Sequence, residues 1–308
     1  MTETHECFDL KNCRLCARGC GVDRYQTSGF CHCSPIPMVA TVCVHKGEEP
    51  VLSGSKGVCN VFFAHCNLQC IFCQNIDISQ NNANIRCHYT ALEQVVDRIK
   101  EVLQTSENVL GFVSPSHYAH LIPQIVDMLH SQGLNPKVVY NTNAYDSVEV
   151  LQALEPYVDV YLPDFKYYSP HLSGRYSKAP DYFLKASKAI KEMYRQKGST
   201  LITTDDGIAQ SGLIIRHLML PGCADDSMEV LSWIAENIST NVHISLMSQY
   251  FPLDKPLPDS LNRFLSEDEY NLVVEHFYAL GFHRGWVQDL DHDKTYKPHF
   301  DQKEAFEL

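Results

Sequence analysis

Eight consecutive residues, Cys66-Asn67-Leu68-Gln69-Cys70-Ile71-Phe72-Cys73, carry three cysteines at a C-x3-C-x2-C spacing, directly after the apolar run Val58 to Ala64. Soft thiolates select iron–sulfur clusters, zinc or Cu(I) over hard ions. A [4Fe–4S] cubane takes four thiolates, one per iron. Three ligands leave one iron open to bind and reduce a small molecule, so the spacing points to an enzyme. The bland alternatives are half a zinc site or buried free cysteines. Zinc knuckles favour paired C-x2-C units, and the x3 gap is atypical of them.

The other cysteines strengthen the metal reading. Twelve of the thirteen lie between Cys7 and Cys87, and only Cys223 lies beyond. A disulfide scaffold is shorter, secreted and evenly stapled, whereas clustered cysteines point to metal. Cys13-x2-Cys16-x3-Cys20, with Cys31 after ten more residues, offers four thiolates among Gly19, Gly21 and Gly29. Zinc, a second Fe–S cluster and free thiols all stay open there, with a slight lean to zinc or another structural metal. Cys33, Cys43 and Cys59 are spare candidates, Cys59 being placed for burial.

Residues 1–50 read as a small, loop-rich, metal-held module. Residues 51–288 alternate strand-like and helix-like segments, and residues 289–308 read as a polar tail. Expected strands are Val58–Phe63, Val109–Val113, Lys137–Asn141, Val158–Leu162, Leu213–Leu218, His243–Met247 and Arg284–Val287. Expected helices are Ala91–Leu103, Ala119–Gln132, Ser147–Tyr157, Asp181–Arg195, Asp226–Asn237 and Ser266–Leu280. Leu92, Val95, Val96, Ile99, Val102 and Leu103 follow helical periodicity, and Ser266-x-x-Glu269 is a capping box. Such alternation predicts an α/β fold: a mostly parallel sheet curled as a partial (β/α) barrel, with active groups at the carboxyl ends of the strands. Polar residues collect there: Ser114-Pro115-Ser116-His117, Asn141-Thr142-Asn143, Asp164-Phe165-Lys166 and Gln249-Tyr250.

The net charge of −12 and the lack of a Lys/Arg-rich block argue against nucleic acid as a partner. No apolar run approaches a membrane span and no signal peptide opens the chain, so a cytoplasmic protein is expected. Asp289, Asp291 and Asp293 resemble the start of a calcium loop but lack its glycine and final glutamate, which favours a solvated acidic stretch. The SGSKG run at 53–57 has the wrong glycine spacing for a P-loop, and no HExxH pattern occurs.

The cysteine loop, its position after the first barrel strand and Phe72 before the last cysteine resemble the signature of the radical S-adenosylmethionine (SAM) enzymes. More narrowly, the chain resembles the branch related to pyruvate formate-lyase activating enzymes that carries an N-terminal cysteine module. The stretches that carry this are His45-Lys46-Gly47-Glu48-Glu49-Pro50, Gln74-Asn75, Tyr140-Asn141-Thr142-Asn143, Asp164-Phe165-Lys166, Gly212 to Gly222, Met247-Ser248-Gln249-Tyr250 and Gly285-Trp286-Val287-Gln288. The resemblance implies a partial TIM-like barrel, a [4Fe–4S] cluster on Cys66, Cys70 and Cys73, and SAM chelated to the open iron. One electron would cleave SAM to methionine and a 5′-deoxyadenosyl radical, which abstracts hydrogen from a substrate.

Residue by residue, the resemblance implies that Lys166 meets the SAM carboxylate, with Asp164 orienting it. It implies that Arg216 contacts SAM and that Asn143 lies in a turn near SAM. Family members have T-N-G at that turn; here it is Thr142-Asn143-Ala144, and Ala opposes the positive φ that Gly permits. Ser114 and Ser116, with His117, stand where the family places a glycine-rich contact to the SAM amine, a glycine motif this chain lacks. For His117 a structural role has equal weight. The expected partners are a reductant such as flavodoxin or ferredoxin and a glycyl-radical enzyme as protein substrate. The alternatives are a radical SAM enzyme acting on another peptide or a small molecule, and a non-catalytic Fe–S or zinc protein.

Overall fold

The structure is a computed structural model that describes residues 6–290, 298–300 and 305–306. Asp291 and Asp293 of the acidic stretch, and most of the tail from 289 onward, lie outside the described residues.

Among the described residues nine strands form one sheet: β1 Val39–His45, β2 Val58–Phe63, β3 Val109–Val113, β4 Lys137–Thr142, β5 Val160–Pro163, β6 Ile202–Thr203, β7 Ala209–Leu218, β8 His243–Met247 and β9 Gly285–Val287. Their order is β1-β2-β3-β4-β5-β7-β8-β9, with β6 paired to β7 alone. The neighbours from β2 through β9 run parallel; β1 is antiparallel to β2, and β6 to β7. Helices intervene: α1 Pro50–Ser53, α2 Ile76–Ser79, α3 Leu92–Leu103, α4 Leu121–Ser131, α5 Val148–Leu154, α6 Pro170–Ser177, α7 Tyr182–Lys197, α8 Ala224–Asn237 and α9 Glu267–Ala279. The ordering is the open, partial (β/α) barrel expected from the alternation.

Period-two alternation sorts each strand into two faces. Cys59, Val61, Phe63, Leu110, Phe112 and Tyr140 point outward into the large core shared with the helices, where α3 contributes Val95, Val96, Ile99 and Val102. Val58, Val109, Val139, Val160, Leu162 and Ile214 form a second, smaller apolar cluster. One step further along the same face of the strands, the residues turn polar: Asn60, Asn141, Asp164 and Arg216. The apolar cluster is thus the floor of the barrel, and the polar ring above it faces the carboxyl ends. Gly111 belongs to this face because a Cβ there would stand 2.0 Å from Asn60 Oδ1.

The expected strands and helices are present, with ends shifted by up to four residues; β7 begins at Ala209 and α7 runs to Lys197. The Ser266–Glu269 capping box forms in both directions. Three departures matter. β1 lies within the stretch read as a loop-rich module, yet it pairs with β2 along its whole length. Its apolar, β-branched sequence finds its core in the sheet, so it needs no core of its own. Short α2 and α6 were not anticipated either, and both bear on the cysteine loop.

Candidate active site at the carboxyl ends of the strands

Cys66, Cys70 and Cys73 lie on the loop between β2 and α2. They line a cavity of about 670 Å³ that also receives Ser114, Asn143, Asp164, Lys166, Arg216 and Gln249. The loop is held from several sides. Cys66 N donates to Asn81 Oδ1 (3.0 Å), and Asn81 Nδ2 returns a bond to Cys66 O (3.0 Å). Ile71 N donates to Tyr176 O (2.8 Å) at the end of α6. Ser169, the N-cap of α6, accepts from Leu172 N, with Pro170 at the first turn; that unused Ser-Pro pair could have signalled the helix.

The sulfurs are already acceptors. Ser177 Oγ donates to Cys70 Sγ (3.0 Å), Leu68 N to Cys66 Sγ (3.3 Å), and Asn143 Nδ2 to Cys66 Sγ (3.5 Å). Burial pushes the Cys66 thiol up to about 12 and the Cys70 thiol up to about 11, with Cys73 adding repulsion. No three His, Cys, Asp or Glu side chains among the described residues converge on a single-ion position. A cubane takes one thiolate per iron, so three cysteines on one loop are a donor set for three of its irons.

The cavity wall carries a buried ion-pair network. Arg216 Nε donates to Asp164 Oδ1 (2.6 Å), Nη1 to Glu48 Oε2 (3.2 Å) and Nη2 to Asn141 Oδ1 (2.7 Å). Lys166 Nζ donates to Asp164 Oδ2 (2.7 Å). Glu48 Oε1 accepts from Asn60 (2.9 Å) and Asn141 (3.2 Å) and pairs with His45 Nδ1 (3.2 Å). Burial alone would raise Glu48, but the His45 hydrogen bond, the charges of His45 and Arg216, and Asn60 outweigh it and hold the carboxyl at about 2. Burial likewise opposes ionised Asp164, and Arg216 and Lys166 overcome it. Burial pushes Glu49 up against the pull of Arg216, with the Glu48 charge adding to the rise.

The expected site residues therefore divide. Asn143, Asp164, Lys166 and Ser114 gather on the cavity with the three cysteines. Arg216 is there too, but all three of its nitrogens are engaged by protein groups, so it is the hub of a network and not a free fork. Ser116 does not reach the cavity: it is fully buried and its Oγ lies 3.4 Å from Thr142 Oγ1. His117 is also buried, with Nε2 2.9 Å from Ala64 O. Burial takes its pKa down to about 3, as for a neutral structural histidine. Glu48, Glu49, His45 and Asn60 were missed as site residues. The His45–Pro50 block stood out in the sequence, but only β1 and β2 pairing reveals that it faces the cavity.

Backbone strain gathers at the same edge. Of the five non-glycine residues with positive φ among the described residues, His65 (+66°), Ser114 (+47°) and Ala144 (+61°) follow β2, β3 and β4. Ala144 thus adopts the left-handed backbone that glycine takes most readily. Its N–H donates to Thr142 Oγ1 (3.2 Å), and Tyr145 N donates to Asn143 Oδ1 (3.0 Å).

The four N-terminal cysteines Cys13, Cys16, Cys20 and Cys31 sit together around a separate, small cavity behind the cysteine loop. No described helix is long and apolar enough to cross a membrane.

The chain is 34% identical over 273 residues to an uncharacterized protein of Methanocaldococcus jannaschii, covering 86% of this chain and 74% of that protein. Among solved structures, anSMEcpe with bound AdoMet aligns at a TM-score of 0.47 and 14% identity, over 70% of this chain and 55% of that one. Streptococcus suis SuiB bound to S-adenosylmethionine aligns at 0.46 and 12%, over 73% and 49%. The chain thus spans about half of each. A domain of pyruvate-formate lyase-activating enzyme from Bacteroides vulgatus aligns at 0.37 and 13%, over 55% of this chain and 92% of that domain. Residues 60–210, from the polar face of β2 through the cysteine loop into β7, match the family model described as the radical SAM superfamily, and the chain belongs to that superfamily.

Proposed function

We propose that the chain binds a [4Fe–4S] cluster on Cys66, Cys70 and Cys73 and SAM beside it, and that it abstracts hydrogen from a glycine of a glycyl-radical enzyme. The observation that carries the SAM reading is the shared cavity: three cysteines, two of them with hydrogen-bonded sulfurs, with Lys166 and Asn143 beside them. When bound, the cluster supplies the electron that splits the sulfonium of SAM. The protein's own groups bind and orient. The Lys166 ammonium, kept charged by Asp164, is placed as a point charge for a carboxylate. Asn143, bonded to Asn67 Oδ1 (2.8 Å) and Cys66 Sγ, presents the turn after β4 to the cavity. The apolar floor below the polar ring keeps bulk water from the barrel interior. A volume near 670 Å³ is within the range of cofactor and ligand pockets and leaves the open side for a substrate segment.

The glycyl-radical step rests on the sequence blocks shared with the activating-enzyme branch. A second reading, a small polar substrate, is favoured by Glu49, whose buried Oε2 has no partner and whose side chain lines the cavity.

The test is anaerobic reconstitution with iron and sulfide, reduction by dithionite, EPR with and without SAM, and assay for 5′-deoxyadenosine. A SAM-shifted signal with 5′-deoxyadenosine formation is expected, and both are lost in Cys66→Ala, Cys70→Ala and Cys73→Ala. Cleavage surviving in all three variants refutes the cluster assignment. Radical transfer is then sought by EPR on a candidate glycyl-radical protein; SAM cleavage without such transfer favours the small-substrate reading.

A further inference from the structure

The N-terminal cysteines take no part in the chemistry above, yet they are arranged as deliberately as the barrel trio. Left-handed Gly19 (φ +52°) and Gly21 (φ +65°) fold the segment back on itself. Gly19 N donates to Cys16 O (3.0 Å) and Gly21 N to Cys13 O (2.9 Å). At Gly29 a Cβ would stand 2.9 Å from Cys20 Sγ, so only glycine leaves that thiol its place. Cys13, Cys16, Cys20 and Cys31 therefore surround one cavity of about 20 Å³.

Zinc has no redox chemistry, whereas a cubane, with one thiolate per iron, takes up and passes on single electrons.

The cage also offers the charge and the donor that a cluster needs. Arg18 and Arg24 line it, two cations beside four cysteines. Arg24 is spent on the carbonyls of Cys33, His117 and Ser34. Arg18 donates from Nε to Asn67 O (2.9 Å) and from Nη1 to Lys178 O (2.7 Å), while its Nη2 is buried without a partner. That remaining N–H is available to a sulfide or thiolate of the cage.

Two short routes join the cage to the barrel loop. Arg18 bonds the carbonyl of Asn67, the residue after Cys66. Asn81 Nδ2 donates both to Phe30 O (2.7 Å), next to Cys31, and to Cys66 O (3.0 Å). On the far side, Cys20 is exposed.

We propose that Cys13, Cys16, Cys20 and Cys31 hold a [4Fe–4S] cluster that passes electrons, one at a time, to the cluster on Cys66, Cys70 and Cys73. A low-potential donor protein of the flavodoxin or ferredoxin class reduces the outer cluster by one electron at the Cys20 side. The same electron moves to the barrel cluster and returns the outer one to its oxidised state; no bond or proton changes place. The relay rests on the radical SAM reading of the barrel site, whereas the ligand assignment stands without it.

The ligand assignment is tested in the full chain carrying C66A, C70A and C73A together, which leaves the outer cage intact. After anaerobic reconstitution, about four iron and four sulfide per chain are expected, half the iron of the unaltered protein, with a reduced-state EPR signal that SAM does not shift. Stoichiometric zinc in place of iron, or a chain without metal, overturns the assignment whatever the barrel site does. The relay is tested in Cys20→Ser by the ratio of 5′-deoxyadenosine formation with reduced flavodoxin to that with dithionite. A fall in this ratio of about tenfold or more is expected. An unchanged ratio overturns the relay, since a merely structural cage would affect both donors alike.

Discussion

Replacing Glu48 by Gln tests whether the polar ring in the barrel is held by charge. Its side chain is only 6% exposed, so solvent screening is slight. The folded-state carboxyl lies at about 2 against an ordinary 4.5. That difference corresponds to on the order of 3 kcal/mol of stability at neutral pH. Because the folded value is depressed, the contribution is fully present above pH 4.5. It declines by about 1.4 kcal/mol per pH unit as the pH falls below that toward 2. Gln keeps the shape and an acceptor for Asn60 and Asn141, and Arg216 keeps Asp164, so the variant should fold. Urea denaturation of both proteins at pH 7, 5, 4 and 3.5 should give a gap of roughly 3 kcal/mol at pH 7, little changed at pH 5 and clearly narrower at pH 3.5. A gap of the same size at pH 7 and 3.5 would refute the charge argument, since lost packing does not titrate. No gap at pH 7 would mean that burial of Glu48 costs as much as its partners return.

Gly111→Ala should push Asn60 off Glu48 and cost about 1–3 kcal/mol. In denaturation it should also be non-additive with Glu48→Gln, because both act on one network. At Ser114, Gly should be neutral or up to about 1 kcal/mol more stable and Val about 2 kcal/mol less stable; equal melting temperatures would show that the positive φ carries no strain. Ser177→Ala removes the hydroxyl donor to Cys70 and should lower the reduction potential of the barrel cluster, read by EPR-monitored titration; an unmoved potential would show that Ser177 only packs.

The cysteine loop was legible because its ligands are local: spacing alone names the chemistry, and β2 before it supplies the rigid approach. The strands were legible for the same reason, as apolar runs bounded by turns. What escaped depends on pairing between distant segments. Glu48 and His45 belong to the site only because β1 pairs antiparallel with β2 and brings their block beside Asn60. Arg216 was recognised as a site residue, but its occupation by Asp164, Glu48 and Asn141 joins four separate segments and leaves no trace in any one of them. Ser116 misled because it is two residues from Ser114, and a 3-10 turn over Ser116–Tyr118 takes it inward to Thr142.

Ser114 and Ala144 show where residue type and backbone part company. Read as residues, neither favours a left-handed backbone, and Ala144 argues against the turn. The backbone nevertheless takes positive φ at both positions. A left-handed conformation costs an L-residue roughly 1–2 kcal/mol, and each is met by local bonds: Ser114 N to Asn141 O (2.7 Å), Ala144 N to Thr142 Oγ1. His65, ahead of Cys66, is held likewise by its bond to Ile78 O (2.6 Å) in α2. Strain of this kind persists only where the surroundings over-determine it, and it collects at functional sites. Three such residues follow three adjacent parallel strands, and Ser114 itself lines the cavity. What the three strand ends share is a backbone shape held by hydrogen bonds at residues other than glycine.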